Sequence, residues 1–181
     1  MVFSSLVFLF YYLPITLLIY FVLPDKLRNI FILLTGLFFY AWGEPKYVVI
    51  MLVSTAIDYT AGLCINKFSE KRNIQTVFLL VSVLMNLSLL AVFKYSSFII
   101  TTINSVFGLN ITDPQLPLPI GISFYTFQSM SYTIDLYLKK IKVQKNFFSF
   151  AAYVTLFPQI VAGPIVRYED VAKEIDHRTI S

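Results

Sequence analysis

Residues 2–23 carry no charged side chain, and neither do residues 75–93. Each run matches the roughly 20 apolar residues that take a helix across a hydrocarbon core, so the chain is constrained from the outset to a fold built in lipid. Hydrophobic residues make up 57% of the 181, aromatic residues 17% and charged residues 13%, a balance that no ordinary soluble domain of this length carries. The expected fold class is all-α, a polytopic transmembrane helix bundle with short re-entrant or interfacial helices.

Spans are expected at about 2–23, 29–42, 47–65, 75–93 and 118–138, followed by a broken segment at 147–166, all within a single larger membrane domain without internal repeats. Pro14 places a kink in the first span, tolerated where neighbouring helices satisfy the freed carbonyl. The 29–42 run is short and reaches across only with tilt, flanking residues or a thinned bilayer. Tyr40 and Trp42 at its end suit an aromatic belt at the membrane surface. Gly43, Glu44 and Pro45 form a tight turn. In 47–65, Thr55, Asp58 and Gly62 share one helical face, which makes Asp58 an intramembrane carboxylate pointing into a bundle. Asn86 and the serines of 75–93 can bond across helices. Residues 96–109 set apolar Ile99, Ile103 and Val106 against polar Thr102, Asn104 and Ser105. Too short to span, they read as a separate helix that lies at the surface or dips part-way, and a loop follows to Pro119. Residues 167–181 read as mixed-charge, amphipathic and surface-bound.

Basic residues cluster between the apolar runs, at Lys26 and Arg28, at Lys67, Lys71 and Arg72, and at Lys139, Lys140, Lys142 and Lys145. The net charge of +4 is thus distributed for orientation and does not indicate nucleic-acid binding. With the spans as counted, all three clusters fall on one side, which the positive-inside rule makes cytoplasmic. The N-terminus, the 43–45 turn and the 108–119 loop then lie outside. The start lacks a basic n-region and a small-residue cleavage site, so 2–23 reads as a retained span. Cys64, the sole cysteine, has no partner for an internal disulfide and reads as a buried thiol.

The stretch 116–137, LPLPIGISFYTFQSMSYTIDLY, is almost long enough to span but carries many polar groups. Steps of three and four place Gly121, Phe124, Gln128, Ser131 and Asp135 on one helical stripe, which must face protein or water. Pro117 and Pro119 are expected in the first helical turn, where a missing N–H costs nothing. Gly121 and Ser131 suit close helix packing. Asp135 either lines a functional path or, one turn from Lys139, pairs with it or sits in the headgroup layer. In 147–166, Pro158, Gly163 and Pro164 interrupt an apolar run. Broken backbone at membrane depth is tolerated where it is buried in protein or lines a cavity, so a re-entrant or broken segment is expected there.

LPIGISFYTFQSMSYTIDLY, followed by LFPQIVAGPIVRYEDV, resembles the membrane-bound O-acyltransferase family, and most closely its bacterial branch of alginate O-acetyltransferases and teichoic-acid D-alanyl transfer proteins. The opening MVFSSLVFLFYYLPI and the phrase FFYAWGEPKY resemble the start of that branch, and the likeness runs from Met1 to about Thr179. It implies a bacterial cell-membrane enzyme that moves an acyl group, such as acetyl, from the cytoplasmic side through a funnel or tunnel in the bundle. The implied acceptor is a hydroxyl of an extracytoplasmic polysaccharide such as alginate, or of a cell-wall polymer. The implied donor is acetyl-CoA or a carrier-bound acyl group, a substrate and not a bound cofactor. Implied partners are membrane lipid, the polymer, and an extracytoplasmic acyltransferase or acyl-carrier protein. Family members are much longer, and their catalytic histidine lies downstream of the segment resembling FPQIVAGPIVRYEDV. The resemblance therefore implies an N-terminal portion, an incomplete bundle that is inactive alone.

Candidate tunnel-lining residues are Gln128, Ser131, Asp135, Asp58, Pro158, Gly163 and Pro164. No metal spacing, phosphate loop or catalytic-triad order occurs in the sequence, so no catalytic, cofactor-binding or metal residue is assigned. His177, the only histidine, sits in the hydrophilic run IDHRT and reads as a solvated surface residue. Two other readings fit parts of the pattern. Asp58 and Asp135 with broken helices are also what proton-coupled transporters show, although no inverted repeat is visible. A non-catalytic membrane chain that associates with others would also lack the histidine.

Overall fold

The computed structural model describes residues 5–162 and 166–176, and every regular element among them is helical. Gly163, Pro164 and His177 lie outside the described residues. The chain opens with a π-helical turn, Phe8–Tyr12, continued by α1, Leu13–Val22. Pro14 accounts for the wide turn: a proline cannot bond to the carbonyl four residues back and its ring presses on it. Here the Leu13 N–H reaches the Phe8 carbonyl instead, a π-type bond that absorbs the expected kink.

Helix α2, Asp25–Gly43, starts four residues before the apolar run, with Pro24 extended ahead of it. Asp25 suits the positive end of the helix dipole. Arg28 on the same turn is buried, donating to the Asp25 carboxylate and, through Nε, to the Leu23 carbonyl at 3.0 Å. Helix α2 has 19 residues, about 28 Å, but its first turn carries Asp25, Lys26 and Arg28, so its apolar part remains the short 29–42 run. Tyr40 does not sit at a surface: it is buried with its ring edge-on to Tyr125, 6.3 Å between centroids, while Trp42 is exposed.

A 3-10 turn, Pro45–Tyr47, leads into α3, Val48–Lys67. Next comes α4, Arg72–Phe107, a single helix of 36 residues where a span and a separate surface helix were expected. Lys94, Tyr95 and Ser96 look like an interface, but no glycine or proline falls between Arg72 and Phe107, so nothing stops propagation before Gly108 takes the left-handed conformation at φ 66°. The elements containing α3, Pro45–Lys67, and α4 are long and apolar enough to cross a membrane, and the fold is all-α and of membrane type. Helix α5, Ile122–Tyr137, is followed by the short α6, Phe147–Val154, and α7, Phe157–Ala162, and then by α8, Tyr168–Asp176.

The core is the three-way packing of α3, α4 and α5, with α6 laid on α2 and α5 touching every later helix. Tyr132 is its anchor: fully buried, it packs on Phe150 at 4.5 Å and on Tyr168 at 5.0 Å, and its hydroxyl accepts the Gln144 N–H at 3.0 Å. Gly62 of α3 lets that ring in, since a Cβ there would fall 2.8 Å from Tyr132 Cε1. Gly36 of α2 does the same for the turn after α6, where a Cβ would meet the Thr155 carbonyl oxygen at 2.1 Å.

Candidate functional site

Helix α5 starts later than its prolines suggest. Pro117 and Pro119 lie ahead of the helix, the Pro119 carbonyl accepts the Ile122 N–H at 3.2 Å, and Gly121 caps the start at φ 73°. That left-handed conformation is open to glycine at little cost. The prolines thus fix the approach of the loop and leave 16 residues for the helix.

Two polar seams run along α5. The first holds Asp58. Its Oδ1 accepts the Ser82 hydroxyl at 2.5 Å and the Asn86 amide at 2.7 Å, while Asn86 Oδ1 accepts from Ser54 at 2.6 Å. Ser82 also meets Thr133 Oγ1 of α5 at 3.3 Å. All five side chains are fully buried, so the carboxylate is held by donors from α4 and tied through Ser82 to α5. Asp58 Oδ2 has no hydrogen bond among the described residues and lies beside the Ser129 hydroxyl. Asp58 is ten residues into α3, about 15 Å from its start, so the seam lies near mid-span. An unmet polar group there would be costly.

The second seam holds Gln128. Its amide donates to the Tyr153 carbonyl at 2.9 Å and to Gln159 Oε1 at 2.5 Å, one bond at the end of α6 and one within α7. The Tyr153 hydroxyl donates in turn to the Val166 carbonyl at 2.8 Å. Ser131 is half-buried on this side and donates to the Gln128 carbonyl at 2.7 Å. Asp135, one turn further, is buried at the helix end, 3.9 Å from the Lys140 ammonium, and its Oδ2 has no hydrogen bond among the described residues. The pairing is with Lys140, not Lys139. Lys139 turns the chain at φ 61°, and the Lys140 N–H bonds to the Asp135 carbonyl at 3.0 Å.

Of the candidate residues, Gln128, Ser131 and Asp135 therefore share one face, Asp58 belongs to the other seam, and Pro158 stands exposed at the start of α7. The break in the 147–166 segment falls at Thr155 and Leu156, ahead of Pro158. Asn146 caps α6 by accepting the Phe148 N–H at 2.9 Å, and Thr155 ends against Gly36. Gly36 lies eleven residues into α2, roughly 16 Å along its axis. The chain then comes back: Tyr168, just past the segment, accepts the Gln144 side-chain amide at 2.9 Å, just before it.

Between α2, α6, α7 and α8 lies a cavity of about 140 Å³, lined by Ile32, Tyr153, Leu156, Gln159, Val171 and Ile175. It is mainly apolar with Gln159 at its wall, a shape that accepts a small acyl group better than a charged one. Sequence reasoning missed Gln159, Ser129 and Thr133, whereas Ser82 is among the serines of 75–93 expected to bond across helices and does so. The i, i+4 pairs Ser82 with Asn86 and Ser129 with Thr133 are the signal that marks the first seam. Among the described residues there is no group of histidine, cysteine, aspartate and glutamate side chains able to hold a metal ion.

No protein-family model matches the chain, and no solved structure matches it. Curated proteins do. A probable alginate O-acetylase AlgI of Pseudomonas aeruginosa is 37% identical over 99% of this chain and 35% of its own length. One from Azotobacter vinelandii is 36% identical over 99% of the chain and 37% of its length. A peptidoglycan O-acetyltransferase of Helicobacter pylori is 28% identical over 94% of the chain and 38% of its length. The chain spans a little over a third of the length of these relatives.

Proposed function

We propose, from a chain that belongs to the membrane-bound O-acyltransferase family, that it forms part of an enzyme moving acetyl groups to hydroxyls of an extracytoplasmic polysaccharide. The observation that carries this reading is the 37% identity to an alginate O-acetylase, sustained over 99% of the chain. Alginate is the acceptor the reading takes first, and peptidoglycan stands second through the more distant relative. The donor is acetyl-CoA or a carrier-bound acetyl group on the cytoplasmic side, and an extracytoplasmic acyltransferase or acyl-carrier protein is the partner.

In this reading the chain crosses the cell membrane several times with its N-terminus outside. The α6–α7 segment re-enters: it starts and finishes at the cytoplasmic face beside the basic 139–145 turn, a placement supported by the bond between Gln144 and Tyr168. Gln128, Ser131, Asp135 and Pro158 form part of the lining of the acyl path. Gln128 has a mechanical role, fixing the backbone at Tyr153 and the side chain of Gln159 so that the small cavity keeps its shape. Asp58 receives no proton-accepting role, because donors from α4 hold its Oδ1 in the helix core. Asp58 and Asp135 occupy separate seams, which counts against a paired-carboxylate proton path and so against the transporter reading.

The test is a chimera. In the P. aeruginosa relative the matching stretch is replaced by this chain, and acetyl content of exported alginate is measured in cells lacking their own acetylase. Restored acetylation is expected. A chimera present in the membrane at the relative's own level but yielding unacetylated alginate would contradict the proposal.

A further inference from the structure

The cavity between α2, α6, α7 and α8 has no charged side chain in its lining, and its two polar side chains differ. The Tyr153 hydroxyl is spent on the Val166 carbonyl at 2.8 Å. Gln159, 9% exposed, accepts the Gln128 amide on Oε1 at 2.5 Å, and no hydrogen bond among the described residues uses its own amide hydrogens. By holding the oxygen end of Gln159, Gln128 leaves an N–H donor free at the edge of an otherwise apolar space.

The cover of this space belongs to the chain itself. Asn29 of α2 donates to Ser149 Oγ of α6 and to the Ile175 carbonyl of α8, both at 3.0 Å. At the other end of α8, the Gln144 amide donates to the Tyr168 hydroxyl at 2.9 Å. Helix α8 is therefore tied down at both ends, with Val171 and Ile175 lining the space beneath it. The volume of about 140 Å³ is close to that of an apolar cavity of about 150 Å³ that takes benzene, so about six non-hydrogen atoms fit. Water is a poor occupant, since it needs about two to four polar partners and the wall offers one donor. A charged group would lie unpaired. An aliphatic body with a single acceptor oxygen matches the wall, and an acyl carbonyl is that chemistry.

We propose, resting on the reading of the chain as part of an acyl-transfer enzyme, that this cavity holds a short uncharged acyl group whose carbonyl oxygen accepts a hydrogen bond from Gln159 Nε2. Counting the carbonyl oxygen and the atom that carries the acyl group, the volume admits chains of about two to four carbons. Acetyl fits with room to spare, and long acyl chains do not enter. Gln159 is the binding residue, and Gln128 is a positioning residue that acts through it.

The test uses the purified Cys64→Ser chain carrying Ile175→Cys, whose alkylation by N-ethylmaleimide slows when the cavity is filled. The probes are 2-pentanone, which presents an acyl carbonyl and cannot acylate the thiol, its isostere 2-methylpentane, which lacks the carbonyl, and the long 2-undecanone. 2-Pentanone should slow alkylation, and 2-undecanone should not. Gln159→Met should weaken 2-pentanone about 2- to 13-fold, the worth of one neutral hydrogen bond, and leave 2-methylpentane unchanged. Val171→Phe, which narrows the cavity without touching Gln128 or Gln159, should abolish protection by both small probes. The infrared carbonyl band of bound 2-pentanone should lie at lower frequency than that of the free ketone, and this readout needs no variant at Gln159. No protection by 2-pentanone, an unshifted carbonyl band, equal losses of the two small probes in Gln159→Met, or protection by 2-undecanone would overturn the proposal. Acetylation restored in the chimera without protection here would overturn this site and leave the enzyme reading standing; protection with the expected pattern beside an inactive chimera would do the reverse.

Discussion

Replacing Gly36 with alanine places a methyl carbon 2.1 Å from the Thr155 carbonyl oxygen, 2.9 Å from its carbonyl carbon and 3.1 Å from its Oγ1. The nearest obstacle is backbone, so no side chain can swing away. To reach even 3.0 Å the helix and the turn must part by about 0.9 Å, and Ala151 and Ala152, both buried against Leu33, must move with the turn. Overpacking of this kind costs about 1 to 3 kcal/mol. The displacement also strains the Gln128 bonds to Tyr153 and Gln159, worth roughly 0.5 to 1.5 kcal/mol each. The loss should concentrate in the α6–α7 turn. In a Cys64→Ser chain carrying Leu156→Cys, alkylation by a small neutral thiol reagent reports opening of that turn. Gly36→Ala should accelerate it about 5- to 150-fold, the factor that corresponds to 1 to 3 kcal/mol. Gly108→Ala is the comparator, with nothing within 4 Å of its Cβ but a φ of 66°. It should cost about 1 to 2 kcal/mol of left-handed strain and leave labelling at position 156 unchanged. Equal labelling rates in the two variants would refute the close approach of α2 to the turn.

Asp58→Leu strands the Ser82 and Asn86 donors and should lower folded yield by the equivalent of about 1 to 3 kcal/mol, whereas Asp58→Asn keeps an acceptor and should lose less; yield of monodisperse protein from detergent extracts ranks them. Gln128→Leu should retain the α3–α4–α5 core, judged by thermal unfolding, while increasing alkylation at Leu156→Cys, because its partners are confined to α6 and α7. Cysteines placed singly at Lys71 and Lys142 in the Cys64→Ser chain should resist an impermeant thiol reagent added to intact cells, and one at Asp113 should react. Labelling at Lys142 without labelling at Asp113 would reverse the orientation.

The inward face of α3 was legible because its polar and small residues recur at helical spacing: Thr55, Asp58 and Gly62 are all buried. The break after α6 falls at Thr155, ahead of the Pro158 that suggested it, and depends on Gly36, a contact across 119 residues that no local pattern reveals. The polar stripe of α5 was read as one surface. Gln128, Ser131 and Asp135 do share a face, and what was not read is a second polar face, because Ser129, one residue beyond Gln128, lies about 100° round the helix beside Asp58. Local signals misled at Lys94 and Tyr95, which mark an interface without ending the helix, and at Tyr40, whose place is set by packing on Tyr125. Asp25 to Arg28 were read as a loop because they are charged, yet a charged first turn suits a helix start.

The proposed re-entrant path of α6 and α7 is the feature on which the candidate site depends, and labelling its two flanks tests it most directly. Single cysteines at Lys145 and Arg167, both exposed, are introduced into the Cys64→Ser chain and probed with an impermeant reagent in right-side-out and inverted membrane vesicles. Both positions should label in inverted vesicles and be protected in right-side-out vesicles. Labelling of Lys145 and Arg167 from opposite faces would make 147–166 a crossing span and contradict the account.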